Sequence, residues 1–167
     1  LGSSAVLALH EGDSGRLWIG LAGGGLACLQ NGLLLNWGTS NGLPNDIVSA
    51  IVEDLAKNLW LATGAGIYRV NRSDVQKTLV NPHLSLACKL IAEAKTLPEA
   101  TTPSGGPRAL RSPDGDLWFA TSEGVLNVNT HQSEIEPSAI PFYLESAAFN
   151  GAPPISLLRG ALWSSSV

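Results

Sequence analysis

Residues 58–68, NLWLATGAGIY, contain a pattern that occurs three times in this chain. The other two copies begin at Leu17-Trp18 and at Leu117-Trp118. In each copy a Leu-Trp pair is followed by an apolar residue and a small residue, then by a glycine-bearing turn and a second apolar run. Three copies with matching flanks indicate a repeat architecture, in which a single unit cannot bury its hydrophobic face alone.

The composition is that of a folded domain of ordinary size. Of the 167 residues, 44% are hydrophobic and only 14% are charged, which excludes a disordered chain. The 18 glycines and 10 prolines predict frequent turns between short strands. The net charge is −4 and lysine and arginine do not cluster, so we expect no nucleic acid partner. No apolar run approaches the ~20 residues that span a bilayer, so we expect no direct membrane contact in this segment.

The chain contains no methionine, which predicts an excised or processed segment of a longer protein. The apolar run at residues 5–9 is too short for a signal peptide, and Glu11 and Asp13 follow it closely. The two cysteines, Cys28 and Cys88, are too few to indicate a disulfide framework. Their pairing and the redox compartment therefore stay open.

The first unit reads as four short strands joined by tight turns. The predicted strands lie at residues 5–10, 16–21, 26–30 and 33–37. The pair Asn31-Gly32 between the last two is a strong two-residue hairpin signal. Four antiparallel strands in this order form one blade of a β-propeller. Trp18 and Trp60 are 42 residues apart, which is the length of one blade with its connection.

Two features distinguish the second unit. Lys57 stands where the other units have Gly15 and Gly115, so we expect a lysine at positive φ with a cost of about 1 kcal/mol. The 58 residues between Trp60 and Trp118 indicate an insertion. Within it, Ser73 and Gln76 predict a capping box and a short helix to about residue 79, which ends before Asn81-Pro82. Residues 84–94 suit a helix or an outer strand, and the propeller context favours the strand.

The second unit resembles the two-component regulator propeller repeat. The resemblance rests on residues 42–46, 47–54, 58–63 and 66–70. Such repeats build the extracytoplasmic sensor region of many bacterial hybrid histidine kinases. Residues 97–121 are similar to the last blade of that sensor, and residues 141–154 to the first hairpin of the immunoglobulin-like sandwich that follows it.

The resemblance implies an all-β chain, a partial β-propeller of about three four-stranded blades followed by the beginning of an immunoglobulin-like sandwich. The expected blades are residues 4–40, 41–94 and 95–130. Residues 131–140 are expected to be a polar connector, and 141–167 the start of the sandwich or a frayed tail. The implied location is the periplasmic or extracellular face of a bacterial inner-membrane receptor.

The resemblance also implies a non-catalytic sensor that binds a small molecule, with carbohydrate as one candidate. In a propeller, the loop that leads into each blade shares a face with the loop between the blade's second and third strands. These loops contain the candidate ligand-binding residues Asn45, Asp46, Thr63, Thr121 and Glu123. Asp46 could equally hydrogen-bond its own loop. The three repeated tryptophans are predicted to be core residues that pack between blades.

No catalytic pattern stands out, and we expect no cofactor and no metal. The histidines, His10, His83 and His131, have no metal-ligand spacing, and Glu53-Asp54 reads as a strand end rather than an acid–base pair. Two alternatives remain open. One is a structural or interaction module that self-associates as a homo-oligomer through open blade edges. The other, less favoured, is a propeller lyase, which would need a cluster of histidines or carboxylates in the central channel.

Overall fold

The computed structural model describes residues 5–93, 107–121 and 124–130, together with three short strands at 138–140, 146–147 and 155–156. The described strands form three four-stranded antiparallel sheets and one two-stranded ladder. Each four-stranded sheet is a meander, in which strands adjacent in sequence are adjacent in space. In the part of the chain that is described, no helix is long and apolar enough to cross a membrane.

The first sheet contains four strands, β1 (Val6–Glu11), β2 (Leu17–Leu21), β3 (Leu26–Gln30) and β4 (Leu33–Trp37). A short 3-10 turn at Asp13–Gly15 separates β1 from β2, and a second at Thr39–Asn41 follows β4. Between β3 and β4, Asn31 and Gly32 have φ values of +50° and +77°. Positive φ at both central residues is the requirement of a type I′ hairpin turn, so the predicted hairpin is confirmed.

The second sheet consists of β5 (Val48–Glu53), β6 (Leu59–Thr63), β7 (Gly66–Val70) and β8 (Cys88–Glu93), with helix α1 (Arg72–Val80) between its last two strands. The predicted strand in residues 84–94 is therefore confirmed as β8. The predicted capping box at Ser73 is wrong, because the N-cap residue of α1 is Asn71. The helix begins earlier because the side chain of Asn58 accepts the Arg72 N–H at 3.0 Å. Asn58 belongs to the turn between β5 and β6, so the residues around the helix start could not predict this hydrogen bond.

The third sheet contains β9 (Ala109–Arg111), β10 (Leu117–Thr121), β11 (Gly124–Val128) and β12 (Ser138–Ile140). Strand β12 pairs with β11 inside the segment 131–140 that the sequence predicted to be a connector, so that prediction is wrong for its last three residues. A three-residue edge strand is too short to produce an alternating pattern. The ladder of β13 (Ser146–Ala147) and β14 (Ile155–Ser156) follows. The predicted Asn150-Gly151 turn lies outside the described residues, and the sandwich stays a prediction.

The three sheets adjoin through their first strands, β1, β5 and β9. Strand β6 is buried on both faces, because successive side chains of a strand point to opposite sides. Leu59 and Leu61 enter the core shared with the first sheet, while Trp60 and Ala62 enter the core shared with the third. The first core is built around Trp18, Leu26, Trp37, Leu43 and Val70, and the second around Ile67, Leu117, Phe119, Leu126 and Val128.

The tryptophan prediction holds for two of the three repeats. Trp18 and Trp60 are 2% and 0% exposed. Trp118 is only partly buried, because Leu117 and Phe119 on either side of it point to the second sheet and the indole projects from the other face. The turn prediction is also confirmed. Lys57 has a φ of +65°, close to the +69° of Gly15.

Candidate functional site

Three loops meet at one end of the first two sheets, at residues 22–25, 38–46 and 63–65. We call this end the loop face. The backbone N–H groups of Gly23 and Gly25 donate to the carbonyl of Asp46 at 2.9 and 2.8 Å. The N–H of Gly64 donates to the carbonyl of Ile47 at 3.1 Å. The structure thus brings together Asn45, Asp46 and Thr63 from the predicted site.

The carboxylate of Asp46 is used by its own loop. Its Oδ1 accepts the Thr39 N–H at 2.7 Å and its Oδ2 accepts the Thr39 hydroxyl at 3.0 Å. A Cβ at Gly38 would lie 2.9 Å from the same carboxylate, so a larger residue there would displace it. Of the two roles that the sequence left open for Asp46, the structure therefore places the side chain in loop closure.

Asn45 and Thr63 are committed in the same way. The Oδ1 of Asn45 accepts the Ile47 N–H at 2.8 Å, and it would lie 2.7 Å from a Cβ at Gly64. Thr63 is 1% exposed, donates to the Gly66 carbonyl at 3.0 Å and accepts the Ala65 N–H at 3.1 Å. What the loop face presents to solvent is instead the exposed backbone of Gly23 and Gly64.

The other two predicted residues belong to the third sheet. The hydroxyl of Thr121 donates to the Gly124 carbonyl at 2.9 Å, which repeats the bond of Thr63 in the second sheet. Glu123 lies outside the described residues. The structure therefore gives Thr121 a turn-closing bond.

At the opposite end, the turns between the first and second strands form a polar cluster that the sequence did not predict. The Nζ of Lys57 lies 2.7 Å from Asp13 and 3.3 Å from Glu53, and so ties the first sheet to the second. The hydrogen bond from Lys57 lowers the pKa of Asp13, and the same bond raises the pKa of Lys57. From β9, the guanidinium of Arg111 donates to the carbonyls of Glu53 and Asp54 at 3.1 and 3.3 Å. The lysine at a glycine position was the available sequence signal.

A buried carboxylate anchors the second of these turns. Asp54 is 3% exposed and accepts three hydrogen bonds, from the indole N–H of Trp60 at 2.9 Å and from the backbone and side-chain amides of Asn58 at 2.8 and 2.9 Å. The bonds of Asp54 close a turn, in agreement with the strand-end interpretation of Glu53-Asp54. Gly12 takes the place of Asp54 in the first unit and Ser112 in the third.

The remaining titratable residues are dispersed. The pKa of His10 is lowered mainly by burial, against an opposing effect of Glu53. Burial raises the pKa of both Cys28 and Cys88, which are free thiols, to about 11. Such thiols are almost fully protonated at neutral pH and are poor nucleophiles. His131 lies outside the described residues, and the described ones contain no group of three His, Cys, Asp or Glu side chains that could hold a metal ion.

A groove of about 310 Å³ follows the first strands of the three sheets. It is lined by residues 6–9 of β1, 49–51 around β5 and 107–109 at β9. Apart from Ser49 and Arg108, the described lining residues are apolar. A lyase of the kind considered from the sequence would need histidines or carboxylates at this place, and none of the described lining residues is one.

The likeness to solved structures decides the fold. The extracellular domain of the hybrid two-component system BT4673 from B. thetaiotaomicron matches with a TM-score of 0.55 at 20% identity, over 85% of this chain and 19% of that one. The corresponding domain of BT3049, from the same organism, matches with a TM-score of 0.51 at 21% identity, over 72% and 15%. Virginiamycin B lyase from Staphylococcus aureus matches with a TM-score of 0.52 at 16% identity, over 82% and 42%.

The chain has a propeller-type fold. Its four-stranded sheets correspond to blades, and the sequence prediction of this fold is confirmed. Extracellular domains of hybrid two-component systems are among the structural neighbours, in agreement with the resemblance found in the sequence. The chain spans less than a fifth of the length of those sensor domains and less than half of the lyase. No family model and no curated protein matches it.

Proposed function

We propose that this chain is a blade segment of the extracytoplasmic sensor of a bacterial two-component receptor, with a binding role and no catalytic role. The observation that carries the proposal is the set of antiparallel four-stranded blades, adjoining through β1, β5 and β9, in a fold shared with extracellular domains of such receptors. The proposed location is the periplasmic or extracellular face of the membrane. The shared fold with virginiamycin B lyase carries no argument for lyase chemistry, because fold alone does not imply function.

The proposed ligand surface is the loop face. Its side-chain oxygens at Asn45, Asp46 and Thr63 are bonded within the loops, which makes the loops a preorganised support. The N–H groups of Gly23 and Gly64 are bonded within the loops, but both residues are exposed and have no side chain, so a ligand can approach their backbone closely. Hydroxyl-rich small molecules such as carbohydrates match a surface of this kind, because each hydroxyl both donates and accepts hydrogen bonds.

Two glycines allow a matched test of the loop face. Gly23 and Gly15 both have positive φ, at +87° and +69°, and a Cβ at either would meet nothing within 4 Å. Gly23 lies on the loop face. Gly15 lies at the other end of the first sheet, because successive turns of a meander alternate ends. Asparagine tolerates positive φ better than most residues, so both substitutions leave the fold intact.

The experiment is isothermal titration of the chain with a panel of neutral and acidic disaccharides. We expect saturable binding of at least one, weakened about tenfold or more in Gly23→Asn and unchanged in Gly15→Asn. Equal affinities of the two variants would refute the loop face as the ligand surface. Absence of binding across the panel would contradict the carbohydrate assignment, and a second titration series with amino acids and short peptides would then test the broader small-molecule proposal.

A second candidate function, self-association, is favoured by the exposed outer strand of the first sheet. Leu33 and Leu34 on β4 are 61% and 40% exposed, and β4 is the last strand in its sheet. An edge strand with exposed leucines can pair with another chain. Light scattering after size exclusion tests this candidate. A homo-oligomer that dissociates in Leu33→Lys supports it, and a monomeric chain refutes it.

A further inference from the structure

A second cavity lies at the end of the first two blades opposite to the loop face. Its volume is about 140 Å³. It lies between the turn that joins β1 to β2, the turn that joins β5 to β6, and the first turns of α1. The charged side chains that line it are those of Asp13, Arg16, Glu53, Lys57 and Arg72. The ring of Trp18 is also part of the lining.

The charges of this cavity are not balanced by the protein. Lys57 is paired with Asp13 and Glu53, and this cluster has one net negative charge. Arg16 and Arg72 line the same cavity, and neither forms a salt bridge with a described residue. The lining as a whole therefore has one excess positive charge, placed on guanidinium groups. Arg16 is held in position over the Trp18 ring, with its guanidinium carbon 5.9 Å from the ring centroid.

Two buried donors in the same wall also have no acceptor. The indole N–H of Trp18 and the Nε–H of Arg16 are both inaccessible to solvent and make no hydrogen bond in the structure. A buried donor without a partner destabilises the fold, and a bound acceptor would remove that cost. In the second blade the equivalent indole, that of Trp60, donates to the carboxylate of Asp54 at 2.9 Å. The first blade lacks this carboxylate because its equivalent position is Gly12.

A side chain at position 12 could supply the missing acceptor only if the groups around it moved. A Cβ there would lie 2.9 Å from Oε1 of Glu53 and 3.0 Å from Nε1 of Trp18, too close for either contact. Glu53 is itself held by Lys57 through its other oxygen at 3.3 Å. The carboxylate that accepts from the indole of the second blade therefore has no counterpart in the first.

We propose that this cavity binds a small oxyanion, such as inorganic phosphate, sulfate or a simple carboxylate. Arg16 and Arg72 supply the charge, since guanidinium groups bind such anions through paired N–H···O bonds. The indole N–H of Trp18 supplies a neutral donor. The site stands apart from the loop face, so its occupancy does not depend on the proposed sensor function.

Binding is tested by titrating the chain with sodium phosphate, sodium sulfate and sodium acetate, with ionic strength held constant by sodium chloride. Heat release and the fluorescence of the tryptophans are the two readouts. We expect saturable binding of at least one anion and about a tenfold loss of affinity in Arg16→Gln, because a charge-assisted hydrogen bond is removed. Arg72 is exposed, so Arg72→Gln is a second variant that keeps the fold. Trp18→Phe keeps the aromatic wall and removes only the N–H, and it should bind severalfold more weakly.

Lys89→Gln is the matched control, because Lys89 is an exposed cation on β8 that does not line the cavity. Its affinity should equal that of the unmodified chain. Equal losses in Lys89→Gln and Arg16→Gln would mean that the anion responds to net charge alone, and would overturn the proposal. Absence of saturable binding for all three salts would overturn it as well. Which salt saturates at the lowest concentration distinguishes a tetrahedral anion from a carboxylate.

Discussion

Replacing Asp54 with alanine should be among the most destabilising single changes in the second blade. The carboxylate is buried and accepts three hydrogen bonds. In Asp54→Ala the Trp60 N–H loses its acceptor at a position that is 0% exposed, which costs about 1–3 kcal/mol. The amides of Asn58 lose their acceptors too, but Asn58 is only partly buried and water can replace part of that loss. The buried charge is removed at the same time, which returns part of its desolvation cost.

The expected loss in the free energy of unfolding is therefore about 2–4 kcal/mol, between the cost of one buried donor and that of the whole network. Part of this loss should come from α1, because Asn58 also accepts the Arg72 N–H at the helix start. The assay is urea denaturation followed by tryptophan fluorescence. Asp74→Ala is the control, since Asp74 forms one surface pair with Lys77, and the loss should stay below about 1 kcal/mol.

Two outcomes would refute this reasoning. A loss in Asp54→Ala no larger than in Asp74→Ala would mean that the buried network contributes nothing net to stability. A large loss in Asp54→Ala with no change in Asp54→Asn would point to shape rather than charge. The amide of Asp54→Asn keeps one acceptor oxygen but weakens the charge-assisted bonds. We therefore expect its loss in the free energy of unfolding to lie between the losses in Asp74→Ala and Asp54→Ala.

Three further predictions address other contacts. In Gly20→Ala the new Cβ would lie 2.4 Å from the Val48 carbonyl oxygen, so the first two blades would have to move apart. We expect the free energy of unfolding to fall by about 1–3 kcal/mol, and an unchanged midpoint in urea denaturation would contradict this. Lys57→Ala and Lys57→Gly lose the same ion pairs, but only glycine relieves the φ of +65°, so Lys57→Gly should be more stable by about 1 kcal/mol; equal midpoints would be evidence against strain. The folded-state pKa of His10 lies below its ordinary value of 6.5, so the folded state binds the proton less readily than the unfolded chain and stability should fall as the pH drops below about 6.5. His10→Gln should flatten stability measured between pH 7 and pH 5, and an unchanged slope would assign the titration elsewhere.

The sequence alone determined the features that depend on local chemistry. Three Leu-Trp copies at blade spacing indicated the propeller, because each strand must bury its apolar residues against a neighbouring sheet. The Asn31-Gly32 hairpin and the positive φ of Lys57 followed from turn geometry, which a few adjacent residues decide. The strand at β8 was favoured once the blade pattern was known.

The tertiary structure decided the features whose partners lie far apart in the chain. The N-terminus of α1 depends on Asn58, 14 residues away, and the short strand β12 exists through its pairing with β11. The sequence left open whether the oxygens of Asp46 face a ligand or their own loop, and in the structure they bond to Thr39. The cavity lined by Arg16 and Trp18 forms only where two blades and a helix meet. Local sequence fixes backbone conformation and strand periodicity. Which polar groups are satisfied, and which are left for a ligand, depends on contacts between segments that only folding brings together.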